Sequence, residues 1–275
     1  MRPGRNPVSL ILRWSPMAAL LLGMAVVDAV AAGWVLRRRT AAGRRALAVL
    51  LGAAGAWCLT YALELMTVGR ASRDLWGSLE HLGTGLIPPA WLAFVLTYTG
   101  HGNQVTRRLL AVLAVEPVLM LTALAVPATH ELVRSVAPGP VAAMPVVRLG
   151  PLSWVDFAWT KAISLVATGL LVVRLTRPSP VYRRQATTVA LAAALPLLGS
   201  VASAAGIGPA RSYDPTPVTT SLGGLVLVWG AFRYRLLELL PVARNLAFDR
   251  LGDPILVLDA LGRVVDRNPA AHRLL

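Results

Sequence analysis

The stretch LWGSLEHLGTGLIPPAWLAFVLTY, residues 75–98, decides how the whole chain is read. Its 24 residues contain only two side chains that charge readily near neutral pH, Glu80 and His81. About 20 mostly apolar residues suffice to cross a bilayer as a helix. Pro88 and Pro89 lie inside the stretch and predict a kink. Working outward, six further runs of similar character occur, at 15–36, 46–68, 109–127, 153–175, 185–207 and 216–232. Between them stand RRRTAAGRR, GRASRD, GHGNQVTRR, a long 128–152 loop, RLTRPSPVYRR and GPARSYDPT, each carrying charge or turn-forming Gly and Pro. The expectation is an all-α membrane protein, a bundle of seven transmembrane helices. Composition agrees: 56% of the 275 residues are hydrophobic and 15% are charged, with a mean hydropathy of +0.61.

The net charge of +14 comes almost wholly from arginine, since Lys161 is the only lysine. These arginines cluster between apolar runs, which is the signature of membrane topology rather than of a nucleic-acid partner. The first, third and fifth breaks hold 11 of them, against 8 for the N-terminus and the even breaks together. This bias predicts the plasma membrane with the N-terminus outside and the C-terminus in the cytoplasm. The sequence AVAAG near residue 30 also fits a signal-peptide cleavage site. Cleavage would leave five arginines of the first break outside, against the charge rule, so the spanning reading is preferred. A single cysteine, Cys58, excludes an intramolecular disulfide and a cysteine-based zinc site.

After Phe232 the pattern changes. RYRLLELLPVARNLAFDRLGD has helical apolar spacing at Leu236, Leu239, Leu240 and Leu246, interrupted by Pro241. PILVLDA and RVVDRN then read as two short strands about an LG turn. Asn268 is placed to cap a helix opening at Pro269. Two strands are marginal alone. The segment DPILVLDALGRVVDRNPAAHRLL resembles the opening of a PAS domain, which implies an incomplete α/β, PAS-like cytoplasmic tail.

The membrane part carries a second resemblance. YALEL at 61–65, LWGSLEHLGTGLIPPAWLAFVLTYTG at 75–100, YRRQA at 182–186 and FRYRLLELLPVARN at 232–245 resemble the N-terminal seven-helix region of sensor histidine kinases. The resemblance implies a sensory domain at 1–232, a signalling helix or linker at 233–250, and the beginning of a PAS domain at 251–275. It implies an input module of a two-component sensor histidine kinase. Kinase activity and a response-regulator partner belong to output domains that would follow residue 275. A non-kinase output such as a cyclase is an alternative. So is a seven-helix transporter or channel, although no matched pair of broken helices marks an inverted repeat.

Ionisable groups inside spans are costly and often functional. They are Asp28, Glu64, Glu80, His81, Glu116, Asp156 and Lys161. Glu64, Glu80, His81, Asp156 and Lys161 fall in the outer half and are the ligand-sensing candidates, set against a role as interfacial or structurally paired groups. Lys161 is deep and calls for a carboxylate on another span, from Glu116, Glu64 or Glu80. Asp156 is five residues away and some 140° around the helix. A retinal Schiff base at Lys161 is disfavoured, because it lies in the fifth run. Trp154, Phe157 and Trp159 are placed to wall an apolar pocket. Gly52 and Gly55, and Gly223 and Gly224, suggest close helix packing. Pro88, Pro89 and Pro196 are hinge candidates, with static kinks as the alternative. Leu236, Leu240 and Pro241 are candidates for signal relay through a parallel homodimer. His101 and His130 read as loop residues and His272 as a surface residue. No catalytic motif, metal set or cofactor signature is present, and the only other partner implied is the lipid bilayer.

Overall fold

The computed structural model describes residues 14–38, 43–137, 146–175, 180–207, 213–233, 251–258 and 264–272. They form two compact units, a helical one and a small C-terminal one. The helical unit contains α1 (Pro16–Arg37), α2 (Arg44–Met66), α3 (Arg70–Tyr98), α4 (Arg107–Ala125), α5 (Pro127–Val133), α6 (Pro151–Leu175), α7 (Pro180–Ala205) and α8 (Thr216–Arg233). Six of these, α1–α4, α6 and α7, are long and apolar enough to cross a membrane. The seventh apolar run forms α8, whose apolar portion, Thr216–Ala231, is shorter than the other six.

Local chemistry sets the helix starts. The Ser15 hydroxyl accepts from the Ala18 N–H at 3.0 Å, and Pro16 follows at the first helical position. Thr106 caps α4 through the Leu109 N–H at 3.2 Å. Asp214 accepts from the N–H and hydroxyl of Thr216, at 3.0 and 2.6 Å, and its own N–H donates to the Tyr61 hydroxyl at 2.8 Å. That last bond ties the start of α8 to α2.

The 128–152 stretch is more ordered than a loop reading allows. It holds α5 and a β-hairpin, in which β1 (Arg134–Ala137) pairs antiparallel with β2 (Val146–Leu149). Val133, Met120, Ala123 and Leu124 form a buried cluster with Leu152 beneath it. The Gly150 N–H donates to the Val133 carbonyl at 2.8 Å, and the Ser153 hydroxyl donates to the same oxygen. A side chain at Gly150 would overlap the Leu132 carbonyl, so the hairpin base admits only glycine. The end of the bundle that carries this hairpin is called the hairpin end below.

Close helix approach depends on missing side chains. A Cβ on Gly83 in α3 would lie 2.6 Å from the Ala53 carbonyl of α2, and one on Gly224 would lie 2.9 Å from Leu51. Gly55 abuts Asp28 and Ala25 of α1, whereas Gly52 faces open space. A Cβ on Gly223 would lie 2.6 Å from the Ala192 carbonyl. That carbonyl is four residues before Pro196, which has no N–H to offer it. α8 therefore covers a backbone acceptor that α7 cannot satisfy. Helices α3, α4 and α7 each continue through their internal prolines. Outward, α6 exposes Val155, Phe157, Leu165, Val166, Val172 and Val173, an apolar surface that lipid tails match. Trp154 and Phe157 contact each other edge to face, both more than half exposed, so they face outward rather than wall a pocket.

In the C-terminal unit, β3 (Leu256–Leu258) pairs antiparallel with β4 (Val264–Arg267) ahead of the short helix α9 (Pro269–His272). Asn268 is fully buried. Its Oδ1 accepts from the Ile255 and Ala271 N–H groups, each at 2.9 Å, and its amide donates to the carbonyls of Asp253 at 2.7 Å and Leu251 at 3.3 Å. It caps the helix as its sequence position predicts and closes the strand entry as well. Leu236, Leu240 and Pro241 lie outside the described residues.

The close α7–α8 contact generates a prediction. Gly223→Leu should destabilise the bundle by about 1–3 kcal/mol through overpacking. Gly52→Leu should stay within about 0.5 kcal/mol. Thermal unfolding in detergent compares the two, and equal melting temperatures would refute the close contact.

Candidate polar site at the hairpin end

Arg134 begins β1, immediately after α5, and its side chain is 7% exposed. Its Nη2 lies 3.1 Å from Glu64 Oε1 of α2, and its Nε lies 3.5 Å from Asp74 Oδ1 of α3. One guanidinium from the connection between α4 and α6 thus reaches carboxylates on two other helices. The space it occupies is created by Gly77, where any Cβ would overlap the guanidinium. Asp74 has a second partner: its Oδ2 lies 3.0 Å from His130 Nε2 of α5. We call this group the latch.

The latch adjoins two pairs of carboxyl groups. Glu80 of α3 lies beside Glu64, and the Trp57 indole N–H of α2 donates to Glu80 Oε2 at 3.1 Å. Further around, Glu116 of α4 meets Asp156 of α6, with His81 of α3 near Asp156. Asp156 also accepts from the Thr160 hydroxyl at 3.3 Å. Glu116 is nearly buried, and its Oε1 has no hydrogen-bond partner. The result is a polar layer spanning α2, α3, α4 and α6 inside an otherwise apolar bundle.

Of the five sensing candidates, the structure gathers Glu64, Glu80, His81 and Asp156 into this layer. Lys161 stands apart. Its Nζ donates to the Ser200 hydroxyl of α7 at 3.4 Å and sits 5.2 Å from the centroid of the Phe157 ring. The carboxylate partner expected for it is absent among the described residues. Glu64 and Glu80 are engaged with Arg134, Trp57 and each other, and Glu116 is engaged with Asp156. Asp28 is fully buried beside Ser221 of α8, yet neither group completes a hydrogen bond. His101 accompanies Thr99 at 3.2 Å.

Sequence reasoning missed Arg134, Asp74, His130, Trp57 and Gly77. Arg134 counted only as loop charge, and His130 read as a loop residue. One signal was present: Asp74, Gly77 and His81 are spaced by three and four residues, which places them on one face of α3. The partner of that face, Arg134, lies 60 residues from Asp74 along the chain, and no spacing rule reaches it. Among the described residues, no three His, Cys, Asp or Glu side chains are arranged to hold a metal ion.

A family model for the N-terminal 7TM region of histidine kinase matches residues 20–241. The chain belongs to this family. A comparison with curated proteins gives no match. The stretch matched by the histidine kinase 7TM region includes every residue of the polar layer and ends before β3. As a member of this family the chain is a membrane protein, and the family suggests a sensory input module.

Arg134→Met should be among the most damaging substitutions, because it strands Glu64 and Asp74 without their cation. Breaking a buried ion pair on one side costs roughly 3–5 kcal/mol. Adding Glu64→Gln to Arg134→Met should recover part of that loss. Unfolding of the single and double variants in detergent tests the coupling, and strictly additive losses would show that the pair does not interact.

Proposed function

We propose that this chain is the input module of a two-component sensor histidine kinase, sensing at the hairpin end and signalling through α8. The observation that carries this reading is the Arg134 latch, which joins the only described β-hairpin of the helical unit to α2 and α3. A stimulus that exchanges partners at Arg134 would alter how three connected segments pack. Glu64, Glu80, His81 and Asp156 are the groups through which a ligand or ion would act, because they line the same layer. Lys161 is a separate element, holding α6 to α7 through Ser200.

In this reading the hairpin end faces outward and the C-terminus faces the cytoplasm, as the arginine bias indicates. α8 serves as the seventh span. Pro88, Pro89 and Pro196 are hinges within α3 and α7. The segment at 233–250 pairs with its copy in a parallel homodimer through Leu236 and Leu240, and Pro241 keeps that pairing short and easily altered. The β3–β4–α9 unit is the opening of a PAS domain, with the phosphoacceptor and ATPase parts supplied beyond it. The carboxyl pairs also suit an ion-conducting bundle, and reconstituted vesicles distinguish the two readings: ion flux without any kinase response would favour transport.

Two experiments test the proposal. Joining residues 1–250 to the kinase half of a well-behaved family member should give a membrane-bound, active kinase. Its autophosphorylation should change several-fold with Arg134→Gln and remain unchanged with the lipid-facing control Leu165→Val. Equal phosphorylation in all three proteins would sink the sensory role of the latch. Cysteine scanning along 234–248, in a Cys58→Ala background, should give cross-linking maxima at helical intervals. Their absence throughout would exclude the dimeric relay.

A further inference from the structure

We propose that the end of the bundle opposite the hairpin holds an anionic phospholipid headgroup, seated between the α1–α2 and α3–α4 turns. The seat lies apart from the latch and needs neither sensing nor kinase output.

Charge in the helical unit is sorted by end. The C-terminal part of α2 and the first turns of α3 meet Arg134 at the hairpin end. The start of α2, the end of α3 and the start of α4 therefore lie at the other end. There the sequence supplies arginine and no acid. No Asp or Glu occurs at 29–63 or 82–115, whereas Arg37, Arg38, Arg44, Arg45, Arg107 and Arg108 all fall in these intervals.

Two turns bring these arginines together. Gly43 precedes Arg44 and Arg45, and a Cβ there would lie 3.5 Å from Thr97 of α3. A Cβ on Gly102, in the turn that leads to Arg107 and Arg108, would lie 3.7 Å from the same threonine. Both turns thus close on the last turn of α3. Arg44 ties in α1, since its Nη1 donates to the Leu36 carbonyl at 3.2 Å. Arg38 lies over the Trp34 ring, 4.6 Å from its centroid. These two side chains are engaged with the protein. Arg37, Arg45, Arg107 and Arg108 are exposed, and among the described residues none of them forms an ion pair.

The arrangement is costly without an anion. Arginines stand in the first turns of α2 and α4, which contain no acidic residue. A helix start is already the positive end of the helix dipole, so cations there are disfavoured. Close charges of like sign add to the cost. An anion between the turns offsets both. Trp34 and Tyr98, in the last turns of α1 and α3, stand at the headgroup level of a bilayer. The anion abundant at that level is a lipid phosphate, and the arginine fork of N–H donors matches a pair of phosphate oxygens. A zwitterionic headgroup would bring a further cation to the seat. A headgroup with net negative charge, such as phosphatidylglycerol, brings none.

Native mass spectrometry of the full chain in detergent, with phosphatidylglycerol and phosphatidylcholine added in equal amounts, reads the preference directly. Phosphatidylglycerol adducts should dominate. Arg45→Gln and Arg108→Gln should each lower their ratio to phosphatidylcholine adducts by about fivefold, and together by about 25-fold. Arg45→Lys with Arg108→Lys should keep most of the preference. Arg148→Gln, which removes one charge from β2 of the hairpin, should leave the ratio unchanged. Absence of any preference in the unaltered chain overturns the proposal without a variant. A loss with Arg148→Gln equal to that with Arg45→Gln also overturns it, by making net charge rather than the seat responsible. Displacement of the lipid by excess inorganic phosphate would make a free anion the occupant and overturn the assignment to lipid.

Discussion

The organisation of the hairpin end depends on one buried guanidinium. Arg134 has little contact with water, and taking such a charge out of solvent is expensive unless carboxylates and hydrogen bonds compensate for it. That requirement places Glu64 and Asp74 on α2 and α3 and demands a glycine at position 77. It also draws the chain between α4 and α6 across the top of neighbouring helices. The charge pair adds to the buried Val133 cluster and the Gly150 and Ser153 bonds in fixing where the hairpin lies.

The bundle is held in two ways. At the hairpin end, carboxyl groups outnumber basic side chains, with Glu64, Asp74, Glu80, Glu116 and Asp156 gathered around Arg134 and two histidines. Elsewhere, packing is carried by close apolar contacts, as in the cluster of Ala18, Leu21, Cys58, Ala62 and Met66 and at Gly55 and Gly83. Polar layers have alternative pairings available to them, whereas close glycine contacts tolerate little change. This difference gives the molecule a part that can rearrange and a part that keeps its form.

Six of the seven expected spans were legible because length and hydropathy act locally. The run at 75–98 fell short of α3 by five residues at its start. The polar turn Arg70–Asp74 is helical, and in it Asp74 meets Arg134 and His130 while Arg73 donates to the Thr67 carbonyl at 3.1 Å. Asn268 was legible as a cap because its bond to the Ala271 N–H is local, whereas its bonds to Leu251, Asp253 and Ile255 are not. Glu64, Glu80, His81 and Asp156 were recognisable as expensive charges. Their grouping was not, since which helices abut is decided by packing. Lys161 shows the limit clearly. Helix geometry correctly separated it from Asp156, but the face of α7 opposite it presents a serine. The α5–hairpin segment was hidden because its order comes from Arg134, His130 and the buried Val133, each anchored to distant residues.

The contact between Gly223 and the Ala192 carbonyl has a mechanical meaning. Pro196 has no N–H to give that oxygen, and a side chain in place of Gly223 would press against it. If α8 slid along α7 by a few ångströms, the oxygen would face hydrocarbon and a side chain would press against it. Rotation of α8 about its own axis would do the same. The two helices are thus keyed together, so that neither shifts along the other without breaking this contact. The segment that follows Arg233 starts from the packing of two helices, not one.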